Sequence, residues 1–195
     1  MFFIKPRFAK PISIALLAAA MAACSTNTPT PATTTSKPAS SKAVDVALDN
    51  TDWYQVRTES ELYLFDSYAV FNQFLQTGKA PYTKPLGKKD NFDRNIVLAL
   101  AAEDQSKDLN AIAASRLWNV SIAPAYPFYG EIREEQVIYV FSRYGDMVDM
   151  AKIGEPTFSY VDVGGGPKGE RVVYVLAKEE KKPEKAIQAF NAKYK

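Results

Sequence analysis

The chain has 195 residues, 47% hydrophobic and 24% charged, with a formal net charge of +2, one cysteine and no histidine. A single cysteine excludes an internal disulfide. The lack of imidazole excludes Ser-His-Asp and Cys-His nucleophile activation, and it removes the usual ligands of zinc and of most copper or iron sites. Carboxylate, lysine and hydroxyl chemistry remain.

Residues 1–23 have the layout of an export signal. Lys5, Arg7 and Lys10 give a positive start, and residues 12–20 are apolar. At about 1.5 Å per helical residue this run is too short for a hydrocarbon core of about 30 Å. The segment ends in Met21-Ala22-Ala23-Cys24, which resembles the lipobox of bacterial lipoproteins. The resemblance implies cleavage before Cys24, with a diacylglyceryl thioether and an N-acyl chain (commonly palmitate) on that cysteine. The same residues also allow ordinary cleavage after an Ala-x-Ala sequence, leaving the cysteine unmodified. Ser25 rather than Asp follows Cys24. In Gram-negative lipoproteins this implies sorting to the outer membrane, on the inner leaflet facing the periplasm.

Without the signal, 21 Lys and Arg stand against 22 Asp and Glu. A nucleic-acid partner would call for a strong basic excess, so none is expected. Residues 24–42 read as the acylated cysteine followed by a tether. In residues 25–42, 13 of 18 are Ser, Thr or Pro, a composition that buries too little apolar area to offset the entropy of ordering. Fully extended, the tether spans at most about 60 Å.

Residues 43–195 are long enough for one globular domain. Strands are expected at 53–57 and 62–65, both rich in aromatics, and at 95–101, a continuous apolar run suited to a strand covered on both faces. Trp118, Val120 and Ile122 alternate with Asn119 and Ser121, predicting a further strand there. Residues 137–141, 158–163 and 172–176 complete the set, the last two as a hairpin around Gly164-Gly165-Gly166-Pro167-Lys168-Gly169. A helix is predicted from Asp66, as N-cap, to Gly78, with Val70, Phe71, Phe74 and Leu75 on one face. Another starts at Pro183 and aligns Ile187, Phe190 and Tyr194. The fold class is α+β: a mostly antiparallel sheet or small sandwich with one packed helix and a C-terminal helix. No internal repeat is read from the sequence.

The candidate chemical groups are few. Asp104, Ser106 and Asp108 have the spacing of the first ligands of an EF-hand loop, but Leu109 stands where Gly is needed and Ser115 where Glu is needed, so they read as a solvated loop. The glycine-rich loop lacks the Gly-Lys-Ser/Thr ending of a phosphate loop and reads as a hairpin tip. Glu131, Glu134 and Glu135 include the residue type of a glycosidase acid, but they read as a polar turn before the strand at 137. Lys79, Lys84, Lys88, Lys89 and Arg94 read as a solvated basic loop, with anionic lipid head groups as the functional alternative. No catalytic residue, cofactor or metal site is expected.

The stretch 63–77, then Asn91-Phe92-Asp93-Arg94-Asn95-Ile96-Val97-Leu98, then strands as far as Leu176, resembles the C-terminal domain of the regulatory subunit of a bacterial surface protease complex. In that family a strand and helix precede an Asp-Phe-type turn, here in the order Phe92-Asp93, and an apolar strand follows. The resemblance implies a non-enzymatic partner that stabilises another envelope protein. The expected function is therefore a membrane-anchored lipoprotein that binds or stabilises another cell-envelope protein without catalysis. The alternative is an envelope-polymer enzyme that hydrolyses glycan or peptidoglycan through carboxylates.

Overall fold

The computed structural model describes residues 52–195. The signal, the lipobox with Cys24 and the tether lie outside the described residues. Twelve elements follow in order: β1 (Asp52–Arg57), β2 (Glu61–Phe65), α1 (Tyr68–Thr77), β3 (Tyr82–Lys89), β4 (Asn95–Leu100) and α2 (Ala113–Trp118). Then come β5 (Tyr129–Glu134), β6 (Val137–Phe141), α3 (Tyr144–Ile153), β7 (Ser159–Asp162), β8 (Arg171–Val175) and α4 (Glu184–Tyr194). The strands form one eight-stranded sheet in the order β3-β4-β2-β1-β5-β6-β8-β7. Four pairings are antiparallel and three, β1 with β5, β2 with β4 and β6 with β8, are parallel. The fold is α+β, and of the two forms the sequence allows, the sheet is the one formed.

Helices cover both faces. One core joins Trp53, Leu64 and Leu98 to Leu117 of α2 and to Met147 and Met150 of α3. The other joins Tyr54, Phe65 and Tyr174 to Phe71 of α1 and Phe190 of α4. β4 serves both, with Ile96, Leu98 and Leu100 in the first core and Ala99 in the second. That explains its unbroken apolar sequence.

The chain is built twice, which corrects the expectation of no repeat. Each half runs β-β-α-β-β-α, and each quartet of strands is ordered first-second-fourth-third. At one constant spacing Tyr63 matches Tyr139, Phe65 matches Phe141, Tyr68 matches Tyr144, Gly78 matches Gly154 and Val97 matches Val173. β1 and β5 pair in parallel, and α1 and α3 pack on opposite faces. The halves are thus related by a two-fold axis lying in the sheet along the strands, which exchanges its two faces.

Several local expectations change. The N-cap of α1 is Ser67, whose hydroxyl accepts from the Val70 amide at 3.5 Å, not Asp66. Asp66 instead accepts the Ala114 amide at 2.9 Å, capping α2 from a distance in sequence. Gly78 ends α1 at φ +69°, and its amide reaches the Phe74 carbonyl at 2.8 Å, as the glycine predicts. The strand expected around Trp118 to Ile122 is absent, because Ala114, Leu117 and Trp118 belong to α2 and Val120 then takes φ +54°. Its alternation reflects a helix end followed by a left-handed turn. The segment read as a basic loop is largely β3, an edge strand whose only buried side chain is Leu86.

Candidate functional site

Polar side chains buried in the sheet form two networks, one in each half at matching positions. In the second half, β5 directs Tyr129, Glu131 and Arg133 to the α1–α4 face. Glu131 is wholly buried, which overturns its reading as part of a polar turn. It accepts hydrogen bonds from the Tyr129 hydroxyl at 2.7 Å, the Tyr194 hydroxyl at 2.9 Å and Arg133 Nε at 2.6 Å. Arg133 Nη1 donates to Glu170 at 3.1 Å, and Glu170 in turn accepts the Lys168 amide at 2.6 Å. The Arg133 guanidinium also lies 5.1 Å from the Tyr194 ring centre. Tyr194 belongs to α4, so this network clamps the last helix onto the sheet. Burial first, and then the negative charge of Glu131, push the phenols of Tyr129 and Tyr194 well above their ordinary range.

A smaller cluster continues it. The Lys193 ammonium pairs with Asp52 at 2.9 Å, and the Tyr54 hydroxyl donates to the same carboxylate at 2.6 Å. Lys193 also sits over the rings of Tyr68 and Tyr129, at 4.7 and 4.8 Å.

In the first half, Gln55 and Arg57 stand where Glu131 and Arg133 stand in the second. Arg57 and Arg94 both reach Glu134, at 3.2 and 3.1 Å, and Arg94 Nε reaches Asp90 at 2.7 Å. The Gln55 amide group, Arg57 Nε and Trp53 Nε1 have no hydrogen-bond partner among the described residues. The electrostatic consequence is opposite in the two halves. Burial lowers the pKa of Arg57, and repulsion from Arg94 adds to this, while Glu134 offsets it only partly. Burial also opposes the charge of Arg133, but Glu131 and Tyr194 together outweigh it and the pKa is raised.

The remaining candidates scatter. Glu134 ends β5 as the counter-ion just described, and Glu135 makes the β5–β6 turn at φ +52°. Asp104 ends a short 3-10 turn (Ala102–Asp104) and pairs with Lys107, while Asp108 flanks a second such turn (Leu109–Ala111). Of the basic stretch, Lys84 donates to the Lys107 carbonyl at 2.6 Å and Lys89 pairs with Asp93 at 2.7 Å. Arg94 is buried, so it is withdrawn from any surface role. The glycine loop is the tip of the β7–β8 hairpin, with Gly164 at φ +79° and Gly169 at φ +82°. The sequence reading missed the buried network. Its signal was the pair Glu131 and Arg133 two residues apart in a strand, which puts both on one face.

Compared with protein-family models, curated proteins and solved structures, the chain matches none.

Proposed function

We propose that this protein is a lipoprotein of the bacterial cell envelope. It is held by acyl chains on Cys24 to the outer membrane, faces the periplasm, and acts there as a non-catalytic binding or stabilising partner of another envelope protein. The resemblance to the regulatory subunit of a surface protease complex fits this reading. The observation that supports it most is how the buried carboxylates are used. Glu131 has its oxygens occupied by two tyrosines and an arginine. Glu170 and Asp90 are likewise committed to Arg133 and Arg94. A general acid must meet its substrate, and these groups meet their own fold instead. In a chain without histidine, that weakens the alternative of an envelope-polymer hydrolase.

Two measurements test the reading. Palmitate labelling of the full chain is expected to mark the protein and to vanish in Cys24→Ala; an unlabelled wild type overturns the anchor. Cross-linking in intact cells is expected to capture one envelope protein at stoichiometric yield. Turnover of peptidoglycan fragments, lost on changing a single Asp or Glu, would replace the binding role with the enzymatic one.

A further inference from the structure

The two-fold relation supplies an internal control for the two edges of the sheet. β3 and β7 are the same strand of the repeat, and each ends the sheet on one side. β3 is guarded. It carries Lys84, Lys88 and Lys89, Pro85 lacks an amide hydrogen, and the register breaks between Pro85 and Lys89. Charged side chains, proline and bulges are the devices that stop an edge from accepting another strand. β7 has neither proline nor bulge, and its one charged side chain is Asp162 at its end. Its sequence is Ser-Tyr-Val-Asp, and its pairing with β8 runs without a break from Ser159 to Asp162.

The free side of β7 is aimed outward. The Leu176 amide donates to the Phe158 carbonyl at 2.9 Å, which makes that pair a hydrogen-bonded one. Alternation along an antiparallel ladder then turns the amide and carbonyl groups of Ser159 and Val161 away from β8. Large apolar side chains surround this edge in the open: Phe158, Tyr160, Val161 and Val163, with Ile153 at the end of α3. Next to it lies a cleft of about 420 Å³ floored by Met150, Pro156 and Val175. Carboxylates prevail around the cleft and the edge. Arg143 is held by Asp146 and Glu180 and Lys152 pairs with Asp149, while Glu155 and Lys178 also line the cleft and Asp162 ends the edge strand.

We infer that β7 is a docking edge for an extended segment of the partner protein, one whose side chains alternate between apolar and basic. The segment adds a ninth strand. Its backbone pairs with Ser159 and Val161, its apolar side chains enter the cleft beside Ile153 and Phe158, and its cations meet Glu155 and Asp162. Main-chain pairing gives such a complex its affinity and the alternate side chains its selectivity. A second copy of this chain fits less well, because self-pairing would set two such acidic rims against each other. The inference rests on the proposed binding role and assigns it a surface.

The experiment uses the full chain in detergent micelles and a synthetic peptide probe of alternating lysine and valine. Amide exchange is expected to show protection at Ser159 and Val161 when the probe is added. Val161→Pro removes an outward-facing amide without touching the β8 ladder, so the domain should stay folded while probe affinity falls at least tenfold. Thr83→Pro on β3 should leave affinity unchanged. A probe with glutamate in place of lysine should bind at least fivefold more weakly. Protection elsewhere, or affinity indifferent to Val161→Pro, overturns the docking edge. Equal binding of the acidic probe overturns the charge complementarity, and a concentration-dependent dimer abolished by Val161→Pro makes the occupant a second copy. If cross-linking in cells still captures the envelope partner with Val161→Pro, the edge assignment fails while the binding role stands.

Discussion

Gln55 and Glu131 occupy the same place in the two halves, each wholly buried and each two residues before an arginine, Arg57 buried and Arg133 partly so. Around Glu131 both phenols and Arg133 Nε and Nη1 are matched, with Arg133 Nη2 left over, and the arginine is held in its charged form. Around Gln55 three buried polar groups go unmatched, and the nearest arginine relies on Glu134, whose side chain is 36% exposed. One backbone design thus carries a nearly saturated network on one face and a far less complete one on the other. Buried polar groups stabilise a fold to the extent that they are matched, because each unmatched group keeps its desolvation cost.

The largest expected effect follows from breaking the better-matched set. Glu131→Gln removes the charge that Arg133 and two tyrosines are arranged around, leaving a buried cation with less compensation. Urea unfolding should show a loss of about 3 kcal/mol. Glu134→Gln, on the half-exposed counterpart, should cost only about 1 kcal/mol. Equal losses would mean that the two networks do not differ in the way their hydrogen bonds indicate.

The helix ends give the next contrast. Gly78 and Gly154 both close their helices with positive φ, +69° and +95°. A side chain at Gly78 would meet nothing within 4 Å, whereas one at Gly154 would lie 2.8 Å from the Phe92 ring. Gly78→Ala should therefore cost about 1 kcal/mol of backbone strain. Gly154→Ala should cost about 2 kcal/mol, since Phe92 must also move. Thermal unfolding of the two variants side by side checks the order.

These positions also show what the sequence makes legible. Gly78, the apolar run of β4 and the β7–β8 hairpin follow from local rules, and the structure has each of them. The second helix-sheet unit was hidden because α3 carries Asp146 and Asp149 among its methionines, blurring the apolar stripe that makes α1 clear. The repeat was hidden because matched positions keep their burial but change chemistry, as Trp53 to Tyr129 and Gln55 to Glu131 do. Spacing preserves such a relation when residue identity does not. Glu131 looked like a surface acid because a carboxylate's burial depends on partners distant in sequence, here Tyr194 above all.

Acid should separate two buried aspartates. Burial alone would raise the pKa of Asp90, but the amides of Arg94 and Phe92 and the Arg94 guanidinium more than reverse that, and it is lowered. A depressed carboxylate contributes stability above its unfolded value and loses it as pH falls through the folded one. Asp66 is the opposite case: burial raises it, and the Ala114 amide only partly opposes this. Its contribution is fully present below the unfolded value and is lost as pH rises through the raised folded value. Between about pH 3 and pH 6, Asp90→Asn should flatten the fall in urea midpoint on acidification. Asp66→Asn should steepen it, because the variant no longer loses stability at the upper end. The same slope in both variants would remove the distinction.

The smallest expected effect asks whether the incomplete network can be finished or dismissed. Gln55→Met keeps the shape of the side chain and deletes both unmatched amide atoms, so it should raise stability by about 1 kcal/mol, independent of pH. Gln55→Glu instead copies the second half. In that half the Glu131 carboxylate takes the Nε hydrogen of an arginine two residues on, and in the first half the equivalent Arg57 Nε hydrogen is free to be taken. The new carboxylate would still lack phenolic donors, because Trp53 and Trp118 stand where Tyr129 and Tyr194 stand. The gain from Arg57 and the cost of burying a second charge then nearly cancel, leaving the variant within about 1 kcal/mol of wild type at neutral pH. It should also acquire a new loss of stability on acidification, as its carboxylate picks up a proton and releases Arg57. Urea midpoints for the two variants, measured across pH, decide between completion and dismissal. A Gln55→Glu variant with no added acid sensitivity would show that the first half cannot hold the pair that the second half is built on.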